Sequence, residues 1–280
     1  MPDFVFDCHT IKEVFLLMHL SGNYFQYNGQ PSAIWGLFFA EVELSPDRRR
    51  MGSPEYATQY NRLTHRHFLQ QAGWQEPLAF EAEIVSDRVL SDEEVGEIYD
   101  WLFHEKTFQR LAFLSDEYDG VYLNCVFHAV EEIRGGINGK YGAVGFKVAV
   151  LCDAPWGWED GEAVYEAPQL GAQMTFHNPS AYKGYLYPEV TIQTGSQGGD
   201  LLLQNITDGN RQTKFTGISA APHTLTLLPE TLEVRSSLST EPVYDAFNKN
   251  FFRLLPGLNR FSVTGDVQKL TLQYRIARLI

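Results

Sequence analysis

The second half of the chain breaks into seven short runs of strand-forming residues, and this pattern constrains the fold more than any other feature. Tyr185–Gln193, Gly199–Gln204, Gln212–Phe215, Thr224–Leu228, Thr231–Ser236, Arg260–Thr264 and Lys269–Arg275 are divided by turns of Gly, Pro, Asn and Asp. Short strands at such spacing bury one face each, and two stacked sheets satisfy that requirement, so the run predicts a β-sandwich. No internal repeat or low-complexity segment interrupts it.

The first half reads as β with one helix. Asn23–Gly29 begins a strand, and Asn28-Gly29 is a hairpin-turn signal because both residues tolerate positive φ. Ile34–Leu44 reads as strand. Ser45–Thr58 is polar, contains Arg48, Arg49, Arg50, Gly52 and Pro54, and reads as an exposed loop or the tip of a long hairpin. Leu78, Phe80, Ala82 and Ile84 alternate with Glu81 and Glu83, the pattern of a half-buried strand with outward carboxylates. Ser91-Asp92-Glu93-Glu94 is a capping box. Val95, Ile98, Tyr99 and Leu102 follow at helical spacing, broadened by Trp101 and Phe103, and the helix is predicted to end near Glu105–Thr107. Gln109–Leu114, Val121–Glu132 and Val144–Asp153 read as strands, with a turn over Gly135–Gly139.

These readings divide the chain into an extension over residues 1–20, a domain over 21–158, an acidic aperiodic linker over 159–171, and a sandwich over 172–280. The strand pattern begins only after Met18, so residues 1–17 are expected to be a loose extension, or translation to start at Met18.

Charge is uneven. The chain carries 22 Lys+Arg and 35 Asp+Glu, a formal charge of −13. Residues 1–158 hold 23 acids and 12 bases, whereas residues 159–280 hold 12 acids and 10 bases. A protein that coats nucleic acid needs a basic face, so this balance argues against one. The longest early apolar run is Val14–Met18, preceded by Asp3, Asp7 and Glu13 where a signal peptide would be basic. The expectation is cytoplasmic synthesis without membrane association. Cys8, Cys125 and Cys152 lack CxxC or zinc-finger spacing, and the last two lie in apolar strand-like runs, as small core residues do.

Catalytic and cofactor motifs are wanting. Gly139-Lys140-Tyr141 is no P-loop, and neither GxSxG nor HExxH occurs. Gly136, Gly139, Gly142 and Gly145 read as a flexible hairpin. His65-Arg66-His67 places two imidazoles on one strand face but lacks a third clustered ligand. Asp116/Glu117/Asp119, Glu131/Glu132 and Glu159/Asp160/Glu162 read as turn or surface acids, since adjacent strand residues face opposite ways. Asn205-Ile206-Thr207 is a formal glycosylation sequon. No catalytic, cofactor or metal residue is assigned. The one candidate interaction site is Arg48–Arg50, which suits a phosphate or an acidic partner surface, or else an ordinary solvated loop. Phe25, Tyr27, Trp35 and Trp74 serve equally as core or as interface.

Leu151-Cys152-Asp153-Ala154-Pro155-Trp156-Gly157-Trp158 resembles the segment that closes the first domain of siphophage distal tail proteins. Tyr24–Leu37, Pro77–Phe80, Ser91–Phe103 and Tyr122–Phe127 resemble that family in order. Asn178-Pro179, Tyr187-Pro188-Glu189, Asn205-Ile206, Asn248–Leu254, Leu258-Asn259 and Val263–Gly265 resemble its galectin-like domain. The resemblance implies a mainly β protein with two domains. The N-terminal one would be a β-sandwich or split barrel with one flanking α-helix and a β-hairpin arm, and the C-terminal one a galectin-like β-sandwich. It also implies a non-enzymatic tail-tip hub in the virion. Six copies would form a ring, with the tail tube and tape measure proteins, the tail-associated tip protein and receptor-binding or baseplate proteins as partners. DNA would pass the lumen unbound. The arm is expected within Val42–Arg66, with Arg48–Arg50 near its tip. Trp156-Gly157-Trp158-Glu159 mimics a sugar-binding galectin motif but stands before the second domain, and His177-Asn178-Pro179 does not complete it. Two alternatives stay open: a glycan-binding module using Tyr182, Tyr185, Tyr187 or Trp158, and a wall-degrading hydrolase.

Overall fold

A computed structural model describes residues 23–42, 54–74, 77–114, 119–166, 172–239 and 243–279. These residues form two compact units, one made of the residues up to Trp158 together with those from Arg278 onward, and one spanning Glu159–Ala277. The extension over residues 1–20 and the start at Met18 lie outside the described residues.

The first unit contains β1 (Phe25–Tyr27), β2 (Gln30–Pro31), β3 (Leu37–Val42), β4 (Pro54–Asn61), β5 (Arg66–Trp74), β6 (Ala79–Ser86), α1 (Asp92–Phe103), β7 (Gln109–Phe113), β8 (Val121–Ile137) and β9 (Lys140–Cys152). Seven of these strands run antiparallel in the order β3-β6-β9-β8-β7-β1-β2. Phe39 N donates to Asn23 O at 3.2 Å, which brings the first strand of that order back towards β1 and curls the sheet into a split barrel. Asn28 and Gly29 both have positive φ, so the β1–β2 turn has the handedness that strand twist favours. On β6, Phe80, Ala82 and Ile84 point into the core, as the alternation predicts.

Helix α1 flanks this barrel. Ser91 accepts from the Glu94 N–H at 3.3 Å while the Glu94 carboxylate accepts from the Ser91 N–H at 2.9 Å, closing the capping box. Ile98 and Leu102 are buried, and Val95, Trp101 and Phe103 pack against the same core. Tyr99 points outward, contrary to the predicted face. Its place is taken by Trp101, whose Nε1 donates to the Tyr27 carbonyl at 3.0 Å. The Trp101 ring meets those of Phe25, Tyr27 and Trp35. Phe25, Tyr27 and Trp35 are therefore core residues; the Trp74 side chain lies outside what is described.

Other boundaries shift for local reasons. Ile34 and Trp35 belong to a 3-10 turn, Ser32–Trp35, which ends on Gly36 in the left-handed region, so β3 starts at Leu37. The helix stops at Phe103, ahead of the expected end. Gly135–Ile137 continue β8, and only Asn138-Gly139 turn. Gly145 sits where a Cβ would lie 2.3 Å from the Ile84 carbonyl oxygen, so its smallness lets β6 approach β9.

The second unit contains β10 (Gly157–Glu166, from Glu159 onward), β11 (Met174–Asn178), β12 (Glu189–Thr194), β13 (Gly199–Asn205), β14 (Arg211–Ile218), β15 (Thr224–Leu228), β16 (Glu233–Ser236), α2 (Val243–Ala246), β17 (Gly257–Thr264) and β18 (Val267–Arg278). One sheet orders β16-β15-β12-β18-β10 and the other β11-β17-β13-β14. Val190, Ile192, Leu225, Leu227, Leu270 and Leu272 of the first sheet share a core with Phe176, Leu201, Leu203, Phe215, Phe261 and Val263 of the second. Burying each such side chain contributes about 1.5–3 kcal/mol relative to exposure. The unit is a β-sandwich.

Three sequence readings differ here. Glu159–Glu166, read as linker, lie in β10. Met174–Asn178 forms a strand that the seven runs omit. The first run becomes strand only from Glu189, in a strand that reaches Thr194, and before it Leu186 pairs alone with Leu254. Asn205, the sequon residue, is 1% exposed. Its amide donates to Arg253 O and Asn259 Oδ1, and its Oδ1 accepts from the N–H groups of Thr207 and Asp208, so it is an internal brace.

Candidate assembly interface

The β4–β5 hairpin of the first unit stands apart from the barrel sheet. Its strands pair only with each other among the described residues. The register runs from Pro54↔Trp74 to Asn61↔Arg66, with an irregularity at Glu55/Tyr56. The tip is Arg62–His65, where Asn61 Oδ1 accepts from the N–H groups of Leu63 at 2.9 Å and Thr64 at 3.2 Å. That is an Asx turn, which Asn favours because its side chain mimics a backbone carbonyl. His65 follows with φ +51°.

Alternation sets the two faces. Tyr56, Thr58 and Tyr60 share one with His67 and Leu69; Ala57, Gln59 and Asn61 share the other with Arg66 and Phe68. Both are open to solvent: from Tyr56 to Leu69 every side chain but Asn61 is exposed. Leu63 is 93% exposed, Leu69 66%, and Tyr56, Tyr60 and Phe68 half or more. A lone two-stranded hairpin is marginally stable in water, and a large exposed apolar patch marks an interaction site. Free strand edges add unpaired N–H and C=O groups that can pair with another chain.

The hairpin also differs in charge. Tyr56–Trp74 holds Arg62 and Arg66 and no Asp or Glu, within a first domain that is strongly acidic. Among the exposed acids of that unit are Asp92, Glu93, Glu97 and Asp100 on α1. A basic, apolar finger and an acidic body are electrostatically complementary surfaces.

The residues singled out from sequence are dispersed. Arg48–Arg50 lie outside the described residues, and the tip of the described hairpin is Arg62–His65. His65 and His67 both turn to Tyr60: its hydroxyl lies 3.0 Å from His65 Nδ1, and its ring 5.1 Å from that of His67. Glu81 pairs with Lys147 at 2.9 Å, and Glu132 with Arg134 at 3.1 Å. Arg88 forks onto Glu94 at 2.9 and 2.5 Å, and this guanidinium, with the Ser91 N–H, holds the Glu94 carboxyl down at about 2. Trp156 is buried and Trp158 Nε1 donates to Asp153 Oδ1 at 3.0 Å, so this Trp pair is structural. Of the predicted tyrosines, Tyr185 and Tyr187 are half-exposed and lie beside Arg253, whose guanidinium sits 3.7 Å from the Tyr185 ring centre and forks onto Asp208 at 2.7 and 3.1 Å.

Two family models match consecutive stretches: a phage tail protein N-terminal domain over residues 20–154 and a phage tail C-terminal domain over residues 156–274. The chain belongs to this family of phage tail proteins. Its fold is shared with the Dit protein of phage SPP1, at TM-score 0.65 and 12% identity over 91% of this chain and 99% of that one. A second solved chain, from the baseplate of phage p2, matches at TM-score 0.51 and 7% identity over 91% of this chain and 98% of that one. No curated protein matches the tail protein by sequence.

The alternation of Tyr56, Tyr60, His67 and Leu69 about Asn61 was a readable hairpin signal in this tail protein. The arginine triplet, with its denser charge, competes with it as a tip signal.

Proposed function

We propose that this tail protein is a structural hub at the tip of a long non-contractile tail. Residues 21–158 close as six copies into a ring, and residues 172–280 form a galectin-like domain outside it. The tail tube and tape measure proteins lie above, and tip and receptor-binding or baseplate proteins below. Support comes from the family, from the shared fold with the SPP1 Dit protein, described as a paradigm of hub adsorption apparatus, and from the fold of a p2 baseplate chain. The role is mechanical, with no enzymatic step.

The observation that carries the reading is the β4–β5 hairpin, a basic finger with Leu63, Leu69, Tyr56 and Tyr60 uncovered. In a ring, each finger lies on the acidic body of the next copy, a head-to-tail contact that closes by rotation. If part of the acid excess of the first domain lines the lumen, like-charge repulsion lets DNA slide through instead of adhering. A basic lumen in the assembled ring contradicts that part of the reading.

Complementation in the phage tests the whole. A chain with Tyr56–Gln71 replaced by a short Gly-Ser turn is expected to fold but to leave tails without tips and particles non-infectious. Normal tails and infectivity with this variant overturn the proposal.

A second reading, binding of host-surface glycans, draws on the exposed Tyr185–Tyr187 pair held by Arg253. Binding of the chain to a glycan array, abolished in a Tyr185→Ala/Tyr187→Ala variant, favours it; no binding rejects it.

A further inference from the structure

Cys125 on β8 and Cys152 on β9 are directly opposite in register, and both are free thiols with no exposed surface. The ladder bonds fix which kind of pair they form. Asp153 N donates to Asn124 O at 2.9 Å, so the adjacent residues are the hydrogen-bonded pair. Cys152 N instead points to the other neighbour and donates to Leu78 O at 2.9 Å. Cys125 and Cys152 therefore occupy a non-hydrogen-bonded site. There the two Cα atoms come to about 4.5 Å and the side chains lie closest. A disulfide spans Cα separations of about 4.4–6.8 Å, so the site admits one without strand movement. Opposite residues also share a face, and both belong to one core cluster.

We propose that Cys125 and Cys152 are a redox-responsive cross-strand staple, which a small-molecule disulfide of the glutathione class converts from two thiols into one disulfide. In the first step a thiolate of one cysteine attacks a sulfur of the small disulfide, forming a mixed disulfide and expelling one thiolate. In the second, the other cysteine's thiolate attacks the protein sulfur of that mixed disulfide, forming the Cys125–Cys152 bond and expelling a second thiolate. The two expelled thiolates take up the two protons the cysteines gave up. The protein pair is oxidised by two electrons and the small disulfide is reduced to two thiols.

Burial slows this chemistry without forbidding it. Burial is the main cause that raises both thiols above their ordinary value, Cys152 to about 12, with Asp153 adding to it. The closed fold thus holds unreactive thiols, and reaction proceeds through local opening of the strand pair. Once formed, the bond closes the loop Val126–Leu151, most of the β8–β9 hairpin. It thereby ties the two strands on which β6 and β7 pair.

The test uses the full chain carrying Cys8→Ser, so that these two thiols alone remain. It is equilibrated in buffers of graded reduced and oxidised glutathione. Equilibrium is approached from the folded reduced protein and by refolding from urea in the same buffer. Thiols are then trapped with acid and an alkylating reagent, and peptides are mapped by mass. The expected result is a Cys125–Cys152 linked peptide as the main product from both directions. The effective concentration should be at least about tenfold higher than for the same chain kept unfolded in urea. The thermal midpoint should rise on oxidation and fall back on adding reductant. Two free thiols in the folded chain at a poise that oxidises the unfolded one overturn the proposal, as does a product confined to glutathione adducts. Cys125→Ser and Cys152→Ser variants, checked for folding by circular dichroism, must lose both the linked peptide and the midpoint shift.

Discussion

Trp101 lies flat against Phe25: their ring centres are 5.7 Å apart and their planes differ by 12°. With the Trp101 N–H on the Tyr27 carbonyl, this contact fastens α1 to the first strand of the barrel. Trp101→Ala removes the largest side chain of that joint. It is expected to destabilise the first unit by about 3–5 kcal/mol, whereas Trp101→Phe keeps the stack and loses only the hydrogen bond, about 1 kcal/mol. Urea unfolding of both variants, followed by circular dichroism, checks the order.

The helix also shows what sequence can and cannot supply. Ser91 and Glu94 are local partners, so the capping box is legible without a structure. The face of the helix is not, because Tyr99 and Trp101 both fit an apolar stripe. Only the aromatic cluster of Phe25, Tyr27 and Trp35 selects Trp101. The short runs Thr224–Leu228 and Gly199–Gln204 were readable because alternation and turns bound them. Met174–Asn178 is a weak sequence signal because it is short and carries polar Thr175, His177 and Asn178, and β10 is a weak one because alternate Glu and Asp side chains on an exposed face mimic a linker. The arginine triplet is the conspicuous charge cluster of the sequence near the hairpin, whereas Leu63 and Leu69 are scattered apolar residues in a polar stretch, and their exposure is a property of the fold alone.

Two glycines give opposite predictions from the same substitution. A Cβ at Gly145 meets Ile84 O at 2.3 Å, so Gly145→Ala must push β6 from β9 and is expected to cost about 1–3 kcal/mol. At Gly96, inside α1, a Cβ meets nothing within 4 Å. Gly96→Ala is expected to stabilise by about 0.5–1 kcal/mol, because Ala loses less backbone freedom in a helix. Thermal melts of the two variants should move in opposite directions.

Glu94 links the capping box to acid stability. Its folded value of about 2, set first by Arg88, is below the ordinary glutamate value. A group depressed on folding stabilises above its unfolded value, and that contribution disappears as pH falls through the folded one. Glu94→Gln should therefore be less stable than the parent near neutral pH, by about 1 kcal/mol for so exposed a pair and cap. The difference should shrink below about pH 4 and vanish near pH 2. Urea midpoints measured across that range check the sign.

Arg253 combines a fork onto Asp208 with stacking beneath Tyr185, and Asp208 together with the Tyr187 hydroxyl raises its guanidinium value further. Lysine keeps the charge but has neither the planar fork nor the stacking face. Arg253→Lys is expected to cost the second unit about 1–3 kcal/mol and to loosen the loop around Tyr185 and Tyr187. Hydrogen exchange at residues 181–188 and 206–210 should accelerate in the variant and stay unchanged in the barrel.

The proposed hub requires that the hairpin join copies of this chain into a closed ring. Native mass spectrometry of the full chain, at concentrations rising through the micromolar range, tests it most directly. The expected species has six times the 31.9 kDa chain mass, and a Leu63→Asp/Leu69→Asp variant, folded by circular dichroism, does not form it. A parent chain that stays monomeric throughout, or a variant that assembles as the parent does, would contradict it.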